Sequence, residues 1–110
     1  MPVATARKIA ILRDDFESAA WLADLLGVNR SQITRWLQGA GIDPLNAEKI
    51  DLLELVMASL LRLYTPEAAR DWLLGLNPHL GDRRPIDLVR MGKLAELVRA
   101  LRAERAESYA

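Results

Sequence analysis

Five charged side chains fall within the eleven positions from Arg83 to Lys93: Arg83, Arg84, Asp87, Arg90 and Lys93. They sit in and just after the run GDRRPIDLVRMG, residues 81–92. Guanidinium forks bind carboxylates and phosphates through paired hydrogen bonds. As a cluster on one corner, these groups suit an acidic partner surface or a nucleotide-binding pocket. Singly, each arginine reads as a solvated side chain, and Arg90 can equally pair with Asp87 at i, i+3. A second polar set lies earlier. Ser31, Thr34, Arg35 and Gln38 recur at i, i+3, i+4, i+7, with Arg30 and Gln32 beside them. Guanidinium, amide and hydroxyl groups on one helix face are those that meet DNA phosphates and base edges.

Other chemistry finds little support. His79 is the only histidine and there is no cysteine, which rules out histidine-rich and thiolate metal sites. His79 follows a proline and reads as a solvated loop residue. No nucleophile elbow is present. Gly39-Ala40-Gly41 lacks the Lys-Ser/Thr that completes a phosphate-binding loop. The carboxylates Asp14, Asp15, Glu48 and Asp51 have ordinary helix-surface spacings. A protein that is not an enzyme, with no cofactor and no metal, is expected.

Bulk properties narrow the field further. Hydrophobic residues make up 51% of the 110, enough for a core in one compact domain or two small units. Net charge is zero. Residues 1–44 carry five basic and five acidic side chains, and residues 45–110 ten of each. DNA binding would therefore rest on local arrangement, because no bulk positive field exists. The start of the chain makes a poor signal peptide, and Ile50–Leu63 is interrupted by charges and too short to span a bilayer. A cytoplasmic protein without membrane contact is the expectation.

The elements that must position these groups all read as helices; strand signals are nearly absent. A first helix covers about Ala6–Phe16, with Ile9, Leu12 and Phe16 on one side. Ser18 is an N-cap candidate for a helix that Gly27 ends. Asn29 and Gln32 have capping-box spacing at the next helix, which ends at Gly39-Ala40-Gly41. After Asp43-Pro44 comes the longest helix, to about Leu63, with Ile50, Leu53, Met57, Leu60 and Tyr64 along one seam. So apolar a helix is central or also buried in an oligomer contact. Thr65-Pro66-Glu67 opens another helix. Pro85 opens a very short one, and Gly92 permits the reversal into a last helix that carries Leu94, Leu97, Val98 and Leu101 and frays into the tail 103–110. Trp21, Trp36 and Trp72 lie on apolar stripes and read as core. The expected organisation is all-α, with a helix-turn-helix unit over residues 1–43 and a central helix plus small helical domain over 44–110.

One resemblance joins these pieces. The segment from Arg70 to Leu101 places Ala69 just before it and holds Trp72, Leu73, Asn77-Pro78, and then Pro85, Asp87, Leu88, Arg90 and Gly92 before an apolar-striped helix. This order, behind a helix-turn-helix followed by Gly41 and Pro44, resembles the Xre/MbcA/ParS family of bacterial antitoxins over roughly residues 18–103. The resemblance implies a dimer formed through helical elements and a C-terminal domain that binds a toxin. The usual toxin carries a RES domain that consumes NAD⁺. The antitoxin blocks its active site, and the complex can repress its own operon by binding operator DNA. Under that reading Arg83, Arg84, Asp87, Arg90 and Lys93 belong to the toxin-binding part, and Arg30, Ser31, Gln32, Thr34, Arg35 and Gln38 to the DNA-binding part. The alternative is a stand-alone dimeric DNA-binding regulator without a toxin.

Overall fold

The computed structural model describes residues 5–108. Among them it holds seven α-helices and no strand, an all-α fold as expected: α1 (Thr5–Asp15), α2 (Ala19–Leu26), α3 (Arg30–Leu37), α4 (Pro44–Leu60), α5 (Pro66–Leu74), α6 (Pro85–Arg90) and α7 (Leu94–Ser108). A 3₁₀ turn occupies Pro78–Leu80. The chain forms two compact units that divide at Glu54/Leu55, inside α4. The position 43/44 marks the start of α4. Lys8 Nζ lies 3.0 Å from Asp51 Oδ1, which ties the first half of that helix to α1.

In the first unit, α1 and α2 both pack on α3. Ile9, Leu12, Leu22, Leu26, Ile33 and Trp36 are buried between them. Phe16 meets Trp21 edge to face at 5.7 Å. Ser18 caps α2 by accepting the Trp21 N–H at 3.0 Å. Gly27 ends α2 with φ +72°, a left-handed conformation that side chains with a Cβ disfavour. The expected Asn29–Gln32 capping box does not form. Asn29 makes no side-chain cap; its carbonyl accepts the Gln32 N–H at 2.9 Å. The Gln32 side chain turns to Arg35, accepting from Nη2 at 2.7 Å. A charge-assisted bond of that kind outcompetes a neutral amide contact.

α4 starts on Asp43, whose carboxylate accepts both the Asn46 N–H and its side-chain amide. These bonds favour the anion and hold the Asp43 pKa below the ordinary range. α4 stops at Leu60 rather than near Leu63. A turn closed by the Tyr64 N–H on the Leu60 carbonyl, 2.8 Å, follows. Pro66 limits that turn: it holds the residue before it, Thr65, in extended backbone (φ −64°, ψ 160°).

In the second unit, α6 packs on α5 and α7, and α7 also covers the 3₁₀ turn. Leu73, Ile86, Leu88, Val89, Leu97 and Ala100 are buried. Trp36 is the one tryptophan fully buried; Trp21 and Trp72 are half-buried. The expected fraying from residue 103 is absent as far as Ser108. Two latches hold the end of α7. The Tyr64 hydroxyl bonds the Glu104 carboxylate and lies 3.3 Å from Ser108 Oγ. His79 Nε2 lies 2.9 Å from Glu107 Oε1, so this histidine has a partner rather than solvent alone. The last two residues of the tail fall outside the described residues.

Candidate functional site

The charged corner is built on α6. Pro85 occupies its first turn, where a missing N–H costs nothing, and is itself buried. Asp87 also lies in the first turn and collects two arginines. Arg84 grips it with Nε to Oδ2 at 3.2 Å and Nη2 to Oδ1 at 3.1 Å. Arg90 Nη1 approaches Oδ1 at 3.5 Å. The anticipated Arg90–Asp87 pair is therefore present, but Arg84 is the stronger partner.

Arg83 points elsewhere. Its Nε donates to the Leu80 carbonyl at 2.7 Å, and its Nη2 lies 3.2 Å from Glu96 Oε1 on α7. The hydrogen bond from Arg83, with the positive charge behind it, lowers the Glu96 pKa below the usual carboxylate range. Lys93 is exposed, and its ammonium makes no hydrogen bond or ion pair among the described residues. The five residues thus split: Arg84, Asp87 and Arg90 form one cluster, Arg83 joins Glu96, and Lys93 stands in solvent.

Asn77 organises the approach to this corner, a role sequence reasoning missed. It is 6% exposed, the one buried polar residue among those described. Its Oδ1 accepts the His79 N–H at 2.9 Å, and its carbonyl accepts from both Leu80 and Asp82 N–H at 3.0 Å. Its own N–H donates to the Arg83 carbonyl at 3.1 Å. Asn77-Pro78 carried the signal of a turn, but of the four bonds at this buried residue the one from its N–H depends on the chain returning at Arg83. At the far end, Gly92 takes φ +69°, and the Lys93 N–H donates to the Leu88 carbonyl at 2.9 Å. These bonds make the corner a fixed platform rather than a loose loop.

The other polar set lies on α3, in the first unit. Arg30, Ser31, Thr34, Arg35 and Gln38 are exposed on the side opposite buried Ile33 and Trp36, and Gln32 is half-buried. Gln32 holds the Arg35 guanidinium along the face. The Thr34 hydroxyl is partly engaged by the Arg30 carbonyl at 3.4 Å. The two sets belong to different units. Among the described residues, no group of three or more metal-ligating side chains occurs, and no helix is long and apolar enough to cross a membrane.

Comparison with known proteins bears on the second unit. Nothing matches among curated proteins or among solved structures. Residues 54–106 match the family model for the antitoxin Xre/MbcA/ParS C-terminal toxin-binding domain. The matched stretch starts in α4 and ends in α7, and so contains α5, the Asn77 turn and the whole α6 corner. It covers just under half of the chain and leaves α1–α3 outside. The match supports an antitoxin role. Along nearly its whole length, the second unit is similar to the toxin-binding domain of Xre/MbcA/ParS antitoxins.

Proposed function

We propose that this chain is the antitoxin of a type II toxin–antitoxin pair and that it binds and inhibits a RES-domain toxin, a class that consumes NAD⁺. The observation that carries this is the toxin-binding-domain match over residues 54–106, with the charged corner at its centre. In this reading residues 44–110 hold the toxin. Arg83, Arg84, Asp87, Arg90 and Lys93 contribute to that contact, with Arg84, Asp87 and Arg90 presented as one rigid charged group. Residues 1–43 act as a helix-turn-helix unit. Arg30, Ser31, Gln32, Thr34, Arg35 and Gln38 meet operator DNA, and the complex represses its own operon. Two arginines neutralise few phosphates, so useful affinity requires a homodimer reading paired half-sites.

The test is co-expression with a RES-domain protein encoded beside this chain in the same operon. The expected result is a stable complex on size exclusion, restored growth and preserved cellular NAD⁺. Recovery of the two proteins separately, with toxicity unrelieved, refutes the proposal. The exposed polar face of α3, outside the matched residues, favours a second reading: a stand-alone dimeric DNA-binding regulator. Promoter binding by a chain that captures no toxin would select it.

A further inference from the structure

Two helical stripes of the second unit line one open groove of about 500 Å³. Leu55 and Leu63, on the end of α4 and the turn after it, supply one wall, and Val98 and Leu101 on α7 supply the other. Leu55 is 42% exposed on a helix whose neighbouring Val56 and Met57 are buried. Ser59 also lines the groove, but its hydroxyl donates to the Leu55 carbonyl at 2.9 Å, so the floor presents no unsatisfied polar group there. The rim is cationic: Arg62, Arg102 and Arg105 line it, and among the described residues no carboxylate does. Arg62 and Arg102 are exposed and make no hydrogen bond or ion pair among the described residues. The corner differs, since Arg83, Arg84 and Arg90 already carry counter-ions within the unit.

We infer that this groove takes an amphipathic helix of the partner toxin, one whose apolar stripe is flanked by carboxylates. The assignment rests on the toxin-binding reading and names the chemistry of the contact. Leu55 and Leu63 on one side and Val98 and Leu101 on the other are apolar walls against which a third helix can lay its own i, i+3, i+4, i+7 anchors. The volume lies within the range of sites that bury several anchoring side chains. The unpaired Arg62 and Arg102 select acidic flanks on the incoming helix. A second copy of this chain fits poorly: a two-fold interface sets the same patch against itself and brings the arginine rims together. A phosphate backbone fits poorly too, because it would desolvate against an apolar floor.

The test uses the full chain and a synthetic helical peptide of about 18 residues, long enough to hold a helix. It carries leucines at i, i+3, i+4 and i+7 with flanking glutamates; a control carries glutamine in place of every glutamate. Fluorescence anisotropy should show the acidic peptide binding about tenfold tighter than the control. Arg62→Glu/Arg102→Glu should remove that difference, whereas Arg99→Glu, at an exposed α7 position outside the groove lining, should leave it intact. The double variant changes only exposed side chains, and a thermal melt checks that it is folded. Equal binding of both peptides, or indifference to the double variant in a folded protein, overturns the inference. A dimer that the double variant splits assigns the groove to a second copy and also overturns it. If a co-expressed RES-domain protein is captured equally by the wild type and the double variant, the toxin reading stands and the groove assignment falls. If no RES-domain protein is captured while the acidic peptide still binds, the toxin reading falls and the groove keeps its acidic-helix specificity.

Discussion

Replacing Asp87 with asparagine tests whether the α6 corner is held by its own charges. The variant keeps the side-chain shape and removes the anion that Arg84 grips with two bonds and Arg90 approaches at 3.5 Å. All three side chains are between 35% and 43% exposed, so solvent screens the pairs. A two-pronged exposed pair contributes about 0.5–1 kcal/mol. The longer i, i+3 pair adds about 0.2–0.5 kcal/mol. The anion in the first turn of a helix adds about 0.3 kcal/mol, the low end because α6 is short. The total is roughly 1.5 kcal/mol, which lowers Tm by about 6 °C for a protein of this size. Circular dichroism melts should show this at low salt, with the gap narrowing at 1 M NaCl as the charges are screened. A double-mutant cycle with Arg84→Ala isolates the main pair, whose coupling should be about 0.5–1 kcal/mol. An unchanged Tm with zero coupling would refute the view that Asp87 organises the corner and would leave it a solvated side chain.

Four further outcomes are expected. Gly27→Ala should cost about 1 kcal/mol through the backbone alone, because φ is +72° and a Cβ there meets nothing within 4 Å; a melt that does not move rejects this. Arg83 holds the Glu96 pKa low, so the stability from that pair is present above the ordinary carboxylate range and is lost as pH falls through the folded-state value. Glu96→Gln should accordingly flatten the acid limb of a stability–pH curve, and a curve superimposable on wild type removes Glu96 from the account. Tyr64→Phe should speed amide exchange over residues 104–108 while leaving Leu97 and Ala100 protected; no change there means the hydroxyl does not latch α7. For the α3 face, Arg30→Ala/Arg35→Ala should reduce the log–log salt slope of operator binding by about 2 without lowering Tm. A wild-type protein that shifts no promoter fragment, alone or with its toxin, makes that face scaffold.

Much of the fold was legible because its stops and starts are local. Ser18, Gly27, Thr65-Pro66, Pro85 and Gly92 act within a residue or four of themselves, through a cap, a fixed φ or a left-handed turn, and each marks the boundary read from it. The seam of α4 was also readable, since Ile50, Leu53, Met57 and Leu60 are all buried. The Asn29–Gln32 box failed although its spacing was right, because a guanidinium one turn on competes for the same amide. The resemblance to the antitoxin domain likewise rested on linear order, and the family match over 54–106 supports it.

What the sequence by itself determined was helix starts, inward faces and the presence of a charged corner. Tertiary structure decided which groups are engaged. Arg83 reaches Glu96 on α7, the Asn77 N–H meets the returning chain at the Arg83 carbonyl, and Tyr64 latches Glu104 forty positions away. The same folding left Arg62 and Arg102 unpaired beside an apolar groove. Helix boundaries come from interactions within one turn, which spacing records. Ion pairing and exposure depend on distances between elements, and nothing in the linear order of the residues fixes those.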